Sequence, residues 1–163
     1  MSQSVAQIEA RPTISATISP MNTKCPLCDE PGGELIWQNH EIRVVLVNEP
    51  MLAGFCRVIW KEHVGEMTDL AAHQRQSMMH VVYVVEQAVR QIMQPDKVNL
   101  ASLGNMVPHL HWHVIPRYLD DVYFPGSVWS EPKNQPVAQS LQQRQALVPA
   151  LCLKLHELLG TVL

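Results

Sequence analysis

Between Pro108 and Pro116 the chain reads His109-Leu110-His111-Trp112-His113-Val114-Ile115, an imidazole at every second position. Side chains alternate faces along a strand, so an extended run puts the three histidines on one face and Leu110, Trp112 and Val114 on the other. A helix would scatter them around its axis. Proline is disfavoured in helix interiors and biases the residue before it toward extended angles, so the segment predicts one short strand. Its apolar face turns to a core and its histidine face to a site. A lone histidine is usually a packing or surface residue, but three stacked on one face oppose one another's protonation. Neutral imidazole is both a nucleophile and a metal ligand, so the run points to chemistry.

Composition narrows the field. A chain of 163 residues, 47% apolar and 17% charged, fits one globular domain with a core of its own. A net charge of −3 offers no basic surface to a nucleic-acid polymer, so any nucleotide must be held locally. No apolar run reaches the roughly 20 residues of a membrane span. The N-terminus lacks a basic segment followed by an apolar one, so secretion is not indicated and the cytoplasm is the expected location. Four cysteines do not form a disulfide framework: Cys56 sits in an apolar strand pattern and Cys152 in a helical one, as small hydrophobes. Cys25-Pro26-Leu27-Cys28 is different. A redox pair would open a helix, whereas Pro31-Gly32-Gly33 follows here, leaving a metal knuckle or free thiols in a surface turn.

Along the chain, residues 1–22 are rich in Ser, Thr, Ala and Gln without helical or strand period and read as a flexible tail, ahead of one domain over residues 23–163. Residues 34–38 and 41–48 flank Asn39-His40 as a hairpin, and residues 54–61 make a third strand. From Thr68, a candidate cap, apolar residues at helical spacing run to Met93, where Pro95-Asp96 stops them. Residues 97–103 predict a fourth strand, residues 104–108 a tight loop and residues 109–115 the fifth. Residues 137–159 predict a second helix that Pro149 kinks or splits.

The triad segment, with Pro116-Arg117 behind it, resembles the signature of the histidine triad (HIT) superfamily of nucleotide hydrolases and transferases, and among them the diadenosine tetraphosphate hydrolase type. The likeness covers residues 25–117: residues 44–48 and Gly54-Phe55-Cys56-Arg57-Val58-Ile59 are similar to the family's paired strands, and His63 with Asp69-Leu70 to its entry into the long helix. It implies an α+β, HIT-like fold, a five-stranded antiparallel sheet with a long helix packed on it and a C-terminal helical segment, and commonly a homodimer. It also implies that His111 attacks the α-phosphorus of a nucleoside 5′-phosphate derivative, either a dinucleoside polyphosphate or a phosphoramidate, and carries the nucleotidyl group covalently. Such an attack needs one ring nitrogen protonated on an acceptor, such as a backbone carbonyl, so that the other presents a lone pair. His113 would bond the phosphoryl oxygens. Asn48 would read a ribose hydroxyl, and Asn99 and Asn105 would lie near phosphate. For Cys25 and Cys28 the resemblance supplies His63 and His109, completing a tetrahedral structural Zn²⁺ site that leaves His111 free.

Two features depart from the family. Met106 stands where many members carry a hydroxyl, and the loop between Asn99 and His109 is short by comparison. Met106 supports a competing reading, a zinc-stabilised nucleotide-binding or sensing module with little or no turnover. A further alternative has all three triad histidines on one catalytic ion. Trp129 is expected to pack, with covering a base as its other possible use, and His40, His73, His80 and His156 have no partner legible in the sequence.

Overall fold

The computed structural model describes residues 24–161, so the predicted tail at 1–22 lies outside the described residues. The elements follow one another as α1 (Pro26–Asp29), β1 (Glu34–Gln38), β2 (Ile42–Leu46), β3 (Cys56–Trp60), α2 (Ala72–Met93), β4 (Lys97–Ala101), β5 (His111–Arg117) and α3 (Ala138–Leu159). The five strands form one sheet in the order β1-β2-β3-β5-β4, antiparallel at every pairing. Its first corner is the predicted hairpin, where the Asn39 carboxamide oxygen accepts from the Glu41 and Ile42 amides at 2.9 and 2.7 Å.

One face of the sheet is the core. Val44, Cys56, Val58 and Val114 are fully buried there, and α2 lays Met78, Val81, Val82, Val85, Val89 and Met93 onto them at helical spacing. Leu151, Leu155 and Leu159 of α3 close the same cluster. Cys56 and Cys152 both belong to it, and burial pushes the Cys56 thiol far up. The other face carries the histidines.

Four departures from the sequence expectation have a local cause. Thr68 lies in a 3₁₀ turn (Met67–Asp69), and α2 begins at Ala72, because the Asp69 carboxylate and the Gln74 carboxamide take up the Glu66 and Ala71 amides separately. Cys25-x-x-Cys28 does open a helix, but of one turn only, since Pro31-Gly32-Gly33 ends it. β5 runs from His111 to Arg117 rather than from 109 to 115. Leu110 donates instead to the Val64 carbonyl, and Pro116 is tolerated because pairing with β3 has ended at Val114, leaving no partner for an amide it lacks. α3 passes through Pro149 without splitting; both Pro149 and Gln145, whose carbonyl loses its partner, lie on the exposed side.

Candidate active site and metal cluster

Cys25 precedes α1 and Cys28 lies in its single turn. The knuckle is tied to β2 by Arg43, whose guanidinium donates to the carbonyls of Leu27, Glu30 and Pro31. It leaves through Gly33 (φ +156°), where any Cβ would stand 2.3 Å from the Leu46 carbonyl oxygen, so only glycine allows this approach to β2. The arrangement brings both thiols to the end of β3 and the start of β5. His63 follows β3 and His109 precedes β5.

These four side chains converge. Their ligand atoms all lie within 4.8 Å of one another, with Cys25 Sγ to His109 Nδ1 at 3.4 Å, Cys28 Sγ to His63 Nδ1 at 3.4 Å and Cys28 Sγ to His109 Nδ1 at 3.5 Å. A tetrahedral Zn²⁺ with ordinary Zn–N and Zn–S bonds separates a nitrogen from a sulfur ligand by about 3.5 Å, so the donor set fits that ion in chemistry and in spacing. The His109 ring is already oriented as such a ligand. Its Nε2–H donates to the Trp60 carbonyl at 2.6 Å, which leaves the Nδ1 lone pair toward the thiols. With both nitrogens so committed, His109 cannot share an ion with His111 and His113.

His111 and His113 face away from this cluster. His111 Nδ1 lies 2.6 Å from the His109 carbonyl oxygen and donates to it, so its Nε2 carries the lone pair. Burial holds its pKa below the ordinary imidazole value, with the Arg57 charge adding to the effect and the bond to His109 working against it. The His113 ring sits edge-on to that of His111, centroids 4.7 Å apart, and is packed between Phe55 at 5.5 Å and Trp129 at 5.1 Å. Burial, then His111 and Arg57, pushes its pKa down to about 3, so it is neutral at physiological pH. Among the described residues its buried Nδ1 has no partner, and a proton there would be a donor with no acceptor; the tautomer carrying Nε2–H avoids this. Neighbouring rings thus present opposite functions, a lone pair from His111 and a donor from His113.

Two clefts border this pair. One, of about 370 Å³, is lined by His111, His113, Leu103, Asn105, Met106 and Trp129. The other, of about 460 Å³, lies under the cysteine knuckle against Pro26, Leu27, Glu30, Pro31 and Gly32. Arg57, Val107 and His111 line both.

The three asparagines expected at the site separate. Asn105 lines the Trp129 cleft. Asn99 gives its carboxamide oxygen to Arg117 Nη1 at 2.7 Å, and Asn48 lines a third cleft with Pro50, Gln145 and Val148, on the α3 side. Trp129, 53% exposed, both packs on His113 and walls the cleft. Arg57 and Phe55 were not singled out as site residues by sequence reasoning. The available signal was a charged residue in the middle of the apolar run Phe55-Cys56-Arg57-Val58-Ile59, which a core strand does not accept without a use.

The chain has relatives among known proteins. The chain is 28% identical over 107 residues to the asymmetrical bis(5′-nucleosyl)-tetraphosphatase of Schizosaccharomyces pombe, covering 62% of this chain and 59% of that protein. It is 23% identical over 125 residues to the AP-4-A phosphorylase of Mycobacterium tuberculosis, covering 73% and 64%. It therefore spans about six-tenths of the length of these relatives. Among solved structures, a histidine triad protein from Marinobacter aquaeolei superposes with a TM-score of 0.63 at 25% identity, over 82% of this chain and 93% of that one. Residues 30–120 match the HIT domain family, and the chain belongs to that family.

Proposed function

We propose that this protein is an enzyme that hydrolyses, or transfers a nucleotidyl group from, a nucleoside 5′-phosphate derivative such as a dinucleoside polyphosphate, by two-step displacement through His111. The observation that carries this reading is the His111 ring, whose Nδ1 is locked on the His109 carbonyl so that Nε2 presents a lone pair, with the neutral His113 ring edge-on beside it. His111 Nε2 attacks the α-phosphorus, and His113 and Asn105 hold the phosphoryl oxygens as charge develops on them. Water, or another acceptor, then displaces the histidine. Both curated relatives carry names describing action on dinucleoside tetraphosphates, one by hydrolysis and one by phosphorolysis, which supports the substrate class. Asn48 and Asn99 take no part in this reading of the cleft. The test is mass spectrometry of protein incubated with diadenosine tetraphosphate and quenched early. An added nucleotidyl mass on the peptide containing His111 supports it; turnover and adduct both absent would leave a nucleotide-binding module.

The cysteine and histidine cluster is read as a structural zinc site, with Cys25, Cys28, His63 and His109 as its four ligands and no open position for chemistry. Bound zinc would cross-link the knuckle to the ends of β3 and β5 and so fix the carbonyl that orients His111. Elemental analysis is expected to find one zinc per chain in the parent protein and none in Cys28→Ser. Removing an ion held at about 100 times its Kd is expected to lower stability by about 2.7 kcal/mol, measured as a lower melting temperature after chelation. A metal-free parent with an unchanged melting temperature rejects the site.

Among the described residues no helix is long and apolar enough to cross a membrane. A cytoplasmic location and a homodimer complete the reading. The dimer is supported by β4, a sheet edge with one side of its backbone unpaired among the described residues, and by the exposed Tyr83 on α2. Light scattering behind a sizing column is expected to give twice the chain mass; a single-chain mass at micromolar concentration rejects it.

A further inference from the structure

Arg57 lines both clefts and is the only cationic side chain, among the described residues, that lines either. It stands on β3 directly opposite His113 on β5, on the histidine face of the sheet. Among the described residues its guanidinium donates once to protein, from Nη1 to the Gly32 carbonyl at 3.0 Å, and its buried Nε has no partner. No carboxylate pairs with it among the described residues. A half-buried guanidinium with most of its donors unused is costly unless an anion completes its bonding.

The clefts also restrict the leaving group. Among the described residues, neither is lined by a hydroxyl or ammonium side chain that could hand a proton to a departing amine. A phosphate leaves as an anion and needs a cation instead. Beyond Arg57 the knuckle cleft offers Pro26, Leu27 and Pro31 with the Glu30 carboxylate at its exposed side, surroundings that suit an apolar ring better than further phosphate.

We infer that Arg57 binds the leaving half of the substrate: with one nucleoside in the Trp129 cleft and the α-phosphorus at His111, the phosphate chain crosses the guanidinium and its second nucleoside enters the knuckle cleft. This rests on the function proposed above and narrows its substrates to dinucleoside polyphosphates over phosphoramidates. In the first step the His111 Nε2 lone pair forms a P–N bond and the bond from the α-phosphorus to its bridging oxygen breaks. The electron pair leaves on that oxygen, whose charge Arg57 meets with charge-assisted hydrogen bonds. In the second step water attacks phosphorus, the P–N pair returns to Nε2, and the water's proton passes to solvent.

The test compares kcat/KM of the full chain and its R57M and R57K variants on diadenosine tetraphosphate and on adenosine 5′-phosphoramidate, with melting curves for each protein. R57M is expected to lose about 100-fold more on the tetraphosphate than on the phosphoramidate, and R57K, which keeps the charge without the planar fork, about 10-fold more. Should R57M melt below the assay temperature, the R57K ratio decides. Equal losses on both substrates, or no loss on either, would overturn the role of Arg57 while leaving the proposed function standing. Failure of the unaltered protein to turn over either substrate would overturn both.

Discussion

Replacing His111 with alanine is expected to lower kcat/KM on a dinucleoside tetraphosphate by about 10⁴-fold or more and to abolish the nucleotidyl adduct. The size of the effect follows from the absence of a substitute nitrogen. His109 Nε2 is held by the Trp60 carbonyl and its Nδ1 faces the thiols. His113 Nδ1 is buried, and the tautomer that spares it an unmet donor puts the proton on Nε2, where it would bond phosphate. Loss of His113 is expected to be smaller, about 10²- to 10³-fold for a charge-stabilising donor, and to leave adduct formation detectable. Rapid-quench mass spectrometry beside steady-state rates separates the two roles. Full turnover by His111→Ala, or an adduct on another residue, would remove His111 from the chemistry.

The largest effect on stability is expected from Arg117→Met, about 3–5 kcal/mol by chemical denaturation at pH 7. Arg117 and Asp121 are both almost wholly buried, and the guanidinium donates from Nε and Nη2 to the two carboxylate oxygens at 2.8 and 3.0 Å. Asp121 further accepts from the Tyr118 and Tyr123 amides, and the remaining Arg117 nitrogen is taken by Asn99. Removing the cation strands a carboxylate in the interior, which is why the cost exceeds that of an exposed pair. The pH dependence has a definite sign. Burial acts to raise the Asp121 pKa, but the bonds from Arg117 and the two amides outweigh it and hold the group below the ordinary carboxylate value. A folded pKa below the unfolded one contributes stability that is complete above about pH 4 and is lost as pH falls through the folded value. In Arg117→Met the stranded carboxylate has the opposite preference, so its deficit relative to the parent should shrink in acid. A deficit unchanged between pH 7 and pH 3 would mean that the pair's charge contributes nothing.

How far the sequence could be read varied with the range of the interaction involved. The β5 histidines, the Asn39 hairpin and the α2 stripe from Met78 to Met93 were legible because each is a local pattern, period two in a strand and period 3.6 in a helix. The start of α2 was not. Thr68 is an acceptable cap by type, but Asp69 and Gln74 offer their side chains to two successive starts, and the second one wins. Pro116 read as the end of a strand because its effect depends on whether a neighbour needs its amide, and β3 had already ended. Asn48 and Asn105 were equivalent as sequence, whereas the fold sends them to different clefts. Arg57 went unused because a charge in an apolar run marks a use without saying which, and its facing residue, His113, is known only from the fold.

By itself, then, the sequence determined that His111 and His113 would share one face of a strand and that the cysteine pair would sit in a tight knuckle, since spacing and turn chemistry act over a few residues. Only the tertiary structure decided how the three histidines divide. Cys25 and Cys28 reach His109 across more than eighty residues, the Trp60 and His109 carbonyls set the tautomers of His109 and His111, and the arginine beside them comes from a different strand. Ring orientation is a matter of a few ångströms between groups distant in the chain, and nothing in local spacing encodes it.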